Sequence, residues 1–408
     1  MNNCGKFSKK HEELMADKAD YHKKIAEFNK VKTPNAKHEL LQLKEKIQAA
    51  VIEIRNMPYR FQIERRESIA ERYGAKFVSG FQKGIAYAEY RDGSCILVNE
   101  QGDKIVDDIF LLSEIQSIKE GIAVIRKLKR DYCIKSDGTV LDIKQAKAAG
   151  KCEFSEGFLL VEKMQGGWQL FAFMDERGKM HPKKTGDWYL SADRFSCGYA
   201  RVIFPEDGSI HDNNVFIDVT GKVFEKNGHR KFRQALNFSE NKAAVMLLGE
   251  RHWRFMNTEG EIISGDYEFQ EAGYFKDGMA IVKLNGLYGY LTKDGKLIPE
   301  NQADWFDNMP GEFSDGYGLV DEGRRFMDKT GEFHPDLNQP PFLDATSFFE
   351  GLALVRFSNG RSGYVNKEFN LVIQCKFGGF FKDGVAMTEE SENGTGVVYI
   401  DKYGNKVF

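Results

Sequence analysis

The sequence has few cysteines and no long apolar run. Six cysteines occur in 408 residues, with no C-x-x-C pair and no short pairing distance. This argues against a disulfide framework or a zinc site and predicts a reducing, cytoplasmic location. No stretch of about 18 apolar residues is present to span a membrane. Residues 1–7 lack the apolar core of a secretory signal. We therefore expect no membrane span.

Catalytic and cofactor-binding motifs are also lacking. The chain contains no P-loop, no dinucleotide-binding glycine motif, no HExxH and no GxSxG. Its eight histidines never lie two, three or four positions apart, so no local metal site is predicted. We expect no cofactor, no metal and no catalytic residue. Enzymatic activity is left open and is not favoured.

Residues 77–408 contain a repeat that is built around an anchor glycine. The anchor recurs every 33 to 43 residues, and a phenylalanine precedes it by three positions in eight of nine units. A small residue, mostly alanine, follows it by two positions. The anchors are Gly84, Gly121, Gly157, Gly198, Asn241, Gly278, Gly316, Gly351 and Gly384. Because side chains alternate along a strand, the anchor and the residue two positions after it lie on one face. We expect the phenylalanine and alanine positions to form a core that neighbouring units share.

A second half-motif has Asp or Asn three positions before another glycine, as in Asn257 to Gly260. Such a side chain bonds the backbone two residues on, and glycine accepts the positive φ of a tight turn. The prediction is a mainly β fold, a tandem array of about nine three-stranded meander repeats. Propellers usually have four to eight blades of four strands. Nine units of unequal length therefore favour a curved or superhelical open array over a closed, propeller-like ring.

Residues 1–76 lack the repeat and are predicted to be helical. One helix is expected over 8–30. A second is expected to begin at Pro34 with Thr33 as its cap and to end at Pro58, and a third to cover 59–73 before Gly74. The apolar spacing of the second is typical of a helical hairpin or coiled coil. This segment has 17 Lys and Arg against 11 Asp and Glu.

Three roles are open for residues 1–76: an end cap on the array of residues 77–408, self-association through the helices, or a basic surface for an acidic partner, membrane lipid or nucleic acid. The end cap is preferred because it would hide the open edge of the first unit. Nucleic-acid binding is not favoured. Oligomerisation through the helices stays open.

The pattern F-x-[DE]-G-x-A-x-V is followed by a Gly-Tyr pair, as in residues 288–291 and 362–365, and then by Asp-Lys-x-Gly-Lys. This combination resembles the WG-repeat (KWG-repeat) family of bacterial all-β repeat proteins over residues 77–408. No Trp-Gly dipeptide occurs, because Tyr288, Ser362 and Thr395 stand in the tryptophan position. The resemblance implies an interaction scaffold and supplies no catalytic residue.

The central units are longer than the others, and insertions in repeat proteins often carry function. The insertions contain Gly166-Gly167-Trp168 and residues 205–211, and a connector between them contains further aromatic residues. Core packing is an equal alternative for the two tryptophans of this region and the preferred one for Trp253 and Trp305. The predicted partner-binding residues are Trp168, His181, Trp188, Tyr189 and His211.

An acidic residue precedes most anchors. These carboxylates are predicted to accept backbone N–H groups in the turn or to be solvated, and one carboxylate per unit does not suit calcium. They are Glu120, Glu156, Glu240, Asp277, Asp315, Glu350 and Asp383.

The functional prediction is a non-enzymatic protein-interaction scaffold that binds a protein partner on the face with the central insertions. The alternative is an enzyme, or a small-ligand or glycan-binding protein, with a site assembled across the central repeats.

Overall fold

The computed structural model describes residues 9–10, 12–20, 23–25, 34–143, 146–182, 188–205, 213–335, 342–375, 377–389 and 397–407. These residues form one long helix, shorter helical stretches before it, and nine antiparallel sheets. The sheets follow one another along the chain and are arranged in a ring, as in a propeller. We number them blades 1 to 9.

The strand bounds follow the chain. Blade 1 contains β1 (Phe77–Val78), β2 (Ala86–Glu89), β3 (Ser94–Val98) and β4 (Phe110–Leu111). Blade 2 contains β5 (Ile115–Lys119), β6 (Ile122–Lys127), β7 (Arg130–Lys135) and β8 (Val140–Asp142). Blade 3 contains β9 (Lys147–Ala148), β10 (Phe154–Ser155), β11 (Phe158–Gln165), β12 (Trp168–Asp175) and β13 (Met180–His181).

Blade 4 contains β14 (Ser191–Ala192), β15 (Tyr199–Ile203) and β16 (Val215–Asp218). Blade 5 contains β17 (Gln234–Ala235), β18 (Lys242–Met246) and β19 (Arg254–Asn257). Blade 6 contains β20 (Glu271–Lys276), β21 (Met279–Leu284), β22 (Leu287–Thr292) and β23 (Leu297–Ile298).

Blade 7 contains β24 (Tyr317–Val320), β25 (Arg325–Asp328) and β26 (Phe333–His334). Blade 8 contains β27 (Asp344–Ala345), β28 (Ala353–Arg356), β29 (Ser362–Val365) and β30 (Leu371–Gln374). Blade 9 contains β31 (Val385–Glu389), β32 (Val397–Asp401) and β33 (Lys406–Val407).

The structure confirms the predicted mainly β array of nine units and differs from the prediction in two respects. Several blades have a short extra strand before the anchor motif, such as β1, β14 and β17, so a blade has three to five strands. The sheets form a ring rather than the open array that the unequal unit lengths favoured. Unit length does not decide whether the array closes, because closure depends on contacts between the two ends of the array.

The Phe and Ala columns form the core between blades, as predicted. Seven of the eight phenylalanines three positions before an anchor are at most 3% exposed, whereas Phe81 is half-buried. Between blades 2 and 3, Ile122 and Val124 pack against Leu159 and Val161. Each blade thus presents the first and third residues after its anchor to the next blade, and the second and fourth to the preceding one.

The turn chemistry is also as predicted. In blade 5 the Oδ1 of Asn257 accepts the backbone N–H groups of Glu259 and Glu261, both at 2.9 Å. Gly260 closes the same turn with a φ of +81°. The turns of this kind and the anchor turns lie at the same end of their sheets, because successive strands are antiparallel. We call this side of the ring the turn face.

The carboxylates before the anchors hold neighbouring blades together on the turn face. Six of the seven accept the N–H of the anchor of the following blade rather than one of their own turn. The bonds join Glu120 to Gly157 (3.0 Å), Glu156 to Gly198 (2.8 Å), Glu240 to Gly278 (2.8 Å), Asp277 to Gly316, Asp315 to Gly351 (2.7 Å) and Glu350 to Gly384 (3.0 Å). In the fourth unit Cys197 replaces the acid, and its Sγ accepts from the N–H of Asn241 at 3.2 Å.

Helix α1 (Pro34–Tyr73) is a single helix, which corrects the predicted break at Pro58. Proline removes one N–H and costs stability in a helix interior. The turns after it nevertheless stay helical, because Ile63, Ile69 and Ala70 are buried against the ring. The helix ends as predicted at Gly74, which has a φ of +63°.

Two ion pairs connect the earlier helical residues with α1. Lys46 Nζ lies 2.7 Å from Asp17 Oδ1, and Lys24 Nζ lies 3.5 Å from Glu39 Oε2. The later residue of one stretch thus pairs with the earlier residue of the other, so the two run antiparallel. Residues 26–33, including the predicted cap Thr33, lie outside the described residues.

The seam of the ring lies between blades 9 and 1. The rings of Phe77 and Tyr399 stack with centroids 4.5 Å apart. Ile63 of α1 packs with Phe77, Val385 and Val407 from the two blades. On the side of blade 1 that would receive a preceding blade, Ala86 and Ala88 pack against Ile69 and Ala70 of α1. Helix α1 therefore forms part of the seam.

Candidate functional site

The loops between β2 and β3, β6 and β7, β11 and β12, and the equivalent pairs lie on the other side of the ring, which we call the hairpin face. Successive strands are antiparallel, so the connectors between blades lie there too. The insertion at residues 166–168 belongs to this face, whereas residues 206–211 lie outside the described residues.

The hairpin of blade 3 has the longest paired strands among the described hairpins of this face. β11 and β12 each have eight residues, and all eight pairs are in register from Phe158–Asp175 to Gln165–Trp168. β6 of blade 2 begins at the same position after its anchor but has six residues. Two more residues at about 3.3 Å each carry the blade 3 hairpin about 7 Å further out.

The tip of this hairpin is apolar and exposed. Trp168 is 62% exposed and Met164 is 70% exposed. Gly166 and Gly167 form the turn, with φ of +59° and +83°. Trp168 lies on the same side of β12 as Leu170 and Ala172, which pack with the core of blade 2. Its ring is therefore on the side that faces blade 2.

Trp188 and Tyr189 are buried beside the same hairpin. They are 4% and 5% exposed, and Tyr189 exchanges backbone hydrogen bonds with Phe171 at 2.9 Å. Lys163 Nζ lies 4.2 Å from the centroid of the Trp188 ring. Burial lowers the pKa of Lys163 and raises that of Tyr189 to about 12. These two aromatic residues support the projecting hairpin from within, and their direct part in partner binding stays a prediction.

His181 lies towards the other end of the blade. It pairs with Phe173, five residues along β12 from Trp168, so about 17 Å of strand separates their backbones. Its Nε2 lies 3.1 Å from Asp175 Oδ2 in the Asx turn. His211 lies outside the described residues. The structure thus brings Trp188 and Tyr189 beside the Trp168 hairpin and places His181 apart.

Within the part of the chain that the structure describes, one group of side chains has the residue types of a metal site, namely Asp328, Glu332 and His334 of blade 7. His334 Nε2 lies 3.0 Å from Asp328 Oδ2. Blade 3 has the same pair, Asp175 with His181, but Lys179 in the position of Glu332. Because the pair persists where a lysine replaces the third group, we interpret it as a support of the turn.

The tryptophans outside this region are core residues, in line with the preferred prediction. Trp305 is 7% exposed and Trp253 is half-buried, and both pack in the core of blades 5 and 6. The indole N–H of Trp305 donates to Pro299 O at 2.8 Å.

Leu128 and Met164 of the hairpin face are not among the partner-binding residues predicted from the sequence. Leu128 is 90% exposed at the turn of the blade 2 hairpin. The sequence does contain a signal for Leu128. Leu128-Lys129 form a two-residue turn, whereas the equivalent turn of blade 6 has the usual turn residues Asn285-Gly286.

The ring of nine antiparallel blades defines a repeat protein of propeller type. The family model described as WG containing repeat matches residues 253–288 and 363–391. The first region reaches the start of the 288–291 pattern and the second contains residues 363–365 of the other pattern, so the resemblance seen in the sequence is confirmed there. No curated protein sequence matches the chain. No helix among the described residues combines the length and apolar character needed to cross a membrane.

Several solved structures show a distant likeness. BamB from Moraxella catarrhalis has 10% identity and a TM-score of 0.32, over 79% of this chain and 95% of that chain. AztD from Citrobacter koseri has 12% identity and a TM-score of 0.34, over 78% and 91%. The WD40 β-propeller domain of Doa1 has 12% identity and a TM-score of 0.27, over 68% and 88%. These TM-scores are too low to carry an argument about function.

Proposed function

We propose that this protein is a non-enzymatic interaction scaffold that binds a protein partner on the hairpin face, at the projecting hairpin of blade 3. The observation that carries the proposal is the pair of exposed apolar side chains at its tip, Trp168 and Met164. Exposure of a large apolar side chain to water is unfavourable, and tryptophan is prominent among the residues that dominate binding energies at interfaces.

The support beneath the tip favours the same role. The hairpin is paired over its full length, and Lys163 and Trp188 brace its base, so Trp168 is presented on an ordered element. An ordered anchor loses less conformational entropy on binding than a mobile one. Trp188 and Tyr189 contribute by positioning the hairpin.

The alternative of a small-ligand, glycan or catalytic site across the central repeats depends on side chains that converge in a pocket. Trp168 lies at an exposed tip, Trp188 is buried in a core, and His181 is one blade length away from the tip. None of these placements favours the alternative.

The proposal is tested by photo-crosslinking in cells with a benzoyl-phenylalanine at Gln169, beside the tip. A control probe replaces Thr220, which is exposed on the turn face. We expect a discrete protein adduct from position 169 and none from 220. Trp168→Ser should weaken binding of the adducted protein by about tenfold or more. Tyr403→Ser, which removes an aromatic residue that is 57% exposed on the turn face, should leave it unchanged.

Equal adducts from both faces, or full binding by Trp168→Ser, would contradict this assignment. Saturable, stoichiometric binding of a small molecule that Trp168→Ser abolishes would favour the alternative site.

A further inference from the structure

The hairpin of blade 2 has an unfavourable turn. Leu128 and Lys129 have φ of +52° and +64°, a region where the Cβ of an L-residue crowds the backbone. The equivalent turn in blade 6 has Asn285 and Gly286, with φ of +54° and +86°, which suit this geometry. The fold itself would accept such residues in blade 2, so the turn gives no reason for Leu128 and Lys129.

Packing gives no reason for Leu128 either, because 90% of it is exposed. A residue that is strained and exposed contributes to neither the turn nor the core. Such residues are typical of functional positions. The contribution of Leu128 is therefore expected in contact with another molecule.

The turn is also strongly basic. Four cationic residues lie within the five residues 126–130. Arg126 forms an ion pair with buried Asp131, in which its Nε and Nη2 donate to the two carboxylate oxygens, each at 2.7 Å. Lys127 Nζ donates to Ile109 O at 3.1 Å. Lys129 and Arg130 are exposed and form no ion pair with any residue that the structure describes. The hairpin thus presents positive charge around one apolar side chain.

The hairpin of blade 3 forms a wall beside this turn. Its tip stands about 7 Å beyond that of blade 2, and Trp168 lies on the side that faces blade 2. We call the step formed by Leu128, Lys129 and Trp168 the ledge, whereas Arg130 pairs with Lys127 on the side of the turn that faces blade 1. It has an apolar and basic floor and an aromatic wall.

We propose that the ledge binds an acidic segment of a partner protein, with apolar side chains that contact Leu128 and Trp168 and carboxylates that meet Lys129 and are attracted by the positive charge of Arg130 on the other side of the turn. This inference rests on the proposed function and names the chemistry of its partner. A step suits a peptide chain that lies along it. A flat anionic lipid surface would meet the Trp168 tip first and leave the lower turn about 7 Å away.

The test selects binders from a displayed library of random peptides against the full-length chain. Enriched peptides are expected to combine Asp or Glu with aliphatic or aromatic residues. Lys129→Glu/Arg130→Glu should weaken the binding of these peptides by about tenfold or more. Lys222→Glu, a charge reversal at an exposed residue of the turn face, should have no effect.

Leu128→Asn provides an independent variant, because asparagine tolerates positive φ. It should bind the selected peptides at least about fivefold more weakly. Its thermal midpoint should equal or exceed that of the unmodified chain, which separates lost binding from lost folding. Vesicles of phosphatidylcholine, with or without phosphatidylserine, serve as the lipid probe and are expected not to bind.

Failure to enrich peptides, enrichment without excess acid, or equal binding by the charge-reversal variant would overturn the inference. Binding to phosphatidylserine vesicles that Leu128→Asn abolishes would assign the ledge to lipid instead. If the adduct at position 169 persists while charge reversal has no effect, the scaffold proposal stands and only the acidic partner is rejected. If position 169 gives no specific adduct, the scaffold proposal itself fails.

Discussion

At the scale of single residues, departures from the repeat reflect what the neighbouring blade needs. Gly318 stands where most units have alanine. A Cβ at this position would lie 2.7 Å from the Tyr290 hydroxyl of the preceding blade and 2.7 Å from the Phe313 ring. Tyr290 is fully buried, and its hydroxyl donates to Gly311 O at 2.8 Å. The tyrosine therefore occupies the space that an alanine methyl takes in other blades.

We predict that Gly318→Ala lowers the free energy of unfolding by about 1–3 kcal/mol, because the added methyl overpacks this junction. Urea denaturation measures the change. In a double-mutant cycle with Tyr290→Phe, the two losses should add to more than the loss of the double variant, since phenylalanine removes one of the two clashing groups. Additive losses would show that Tyr290 is not the reason for the glycine.

At the scale of the repeat element, the turn F-S-[DE]-[GN] of blades 3, 5 and 7 links each of them to the next blade through two side chains. In blade 3 the Ser155 hydroxyl donates to Phe195 O at 2.7 Å, and Glu156 accepts from the N–H of Gly198. In blade 5 Ser239 donates to Phe275 O at 2.7 Å, and Glu240 accepts from the N–H of Gly278. The sequence shows the recurrence of these residues, and the structure shows that they act between units.

The carboxylate of Glu240 gives this linkage a pH dependence. Burial acts to raise its pKa, but the hydrogen bonds from Lys293 and from the backbone N–H groups outweigh burial, so the pKa lies below its ordinary value of 4.5. A depressed folded-state pKa means that the ionised form stabilises the fold. This stabilisation is complete above the ordinary pKa and is lost as the pH falls through the folded-state value.

We predict that Glu240→Gln costs about 1 kcal/mol of unfolding free energy at neutral pH, a modest loss because the carboxylate is partly exposed. The difference from the unmodified chain should shrink as the pH falls below 4.5. Chemical denaturation across this range measures it. Glu225→Gln, at an exposed position, should show neither the loss nor its pH dependence. A constant difference down to strongly acidic pH would be evidence against the carboxylate's role.

At the scale of the whole molecule, the ring depends on a seam in which Arg66 of α1 is central. Arg66 is 1% exposed. Its Nε donates to Val78 O of blade 1 at 2.8 Å, and its Nη1 donates to Asp383 O of blade 9 at 3.0 Å. Burial lowers its pKa to about 10, and nearby Asp383 counteracts part of that shift. One buried guanidinium thus joins the first and last blades.

We predict that Arg66→Met lowers the free energy of unfolding by about 2–4 kcal/mol, because two hydrogen bonds to a charged donor are lost inside the seam. Native-state hydrogen exchange should show faster exchange in β1 and in β31 to β33 than in blades 4 to 6. Arg65→Met is the matched control, since Arg65 forms an exposed ion pair with Glu100 at 3.0 Å and should cost at most about 1 kcal/mol. Equal acceleration in every blade would argue against a local seam.

The sequence predicted most of the repeat correctly, because each unit encodes it locally. Alternation sets the buried face, Asx-Gly pairs set the turns, and the Phe and Ala columns set the core. The break predicted at Pro58 was wrong, since local propensity does not include the packing of the following turns on blade 1. Leu128 was missed because its place in a two-residue turn follows only from the register of β6 and β7.

For the candidate site, too, the sequence indicated some features and the tertiary structure decided others. The long central units drew attention to the blade 3 hairpin, and Trp168 lies exposed at its tip, whereas its part in binding stays a prediction. The neighbouring Trp188 and Tyr189 carry the same kind of signal but are buried, because the chain returns beside β12 after β13. A sequence does not distinguish an aromatic residue at a hairpin tip from one that packs beneath it.

By itself, then, the sequence determined the number of units, their strands and turns, and the composition of the cores between them, because those depend on residues within one unit or at the same position in the next. Only the tertiary structure decided that the array is a ring, that α1 enters its seam, and that Leu128 and Trp168 lie on adjacent hairpins of one face. These features join residues far apart in the chain, through contacts such as that of Arg66 with Asp383, which no local pattern records.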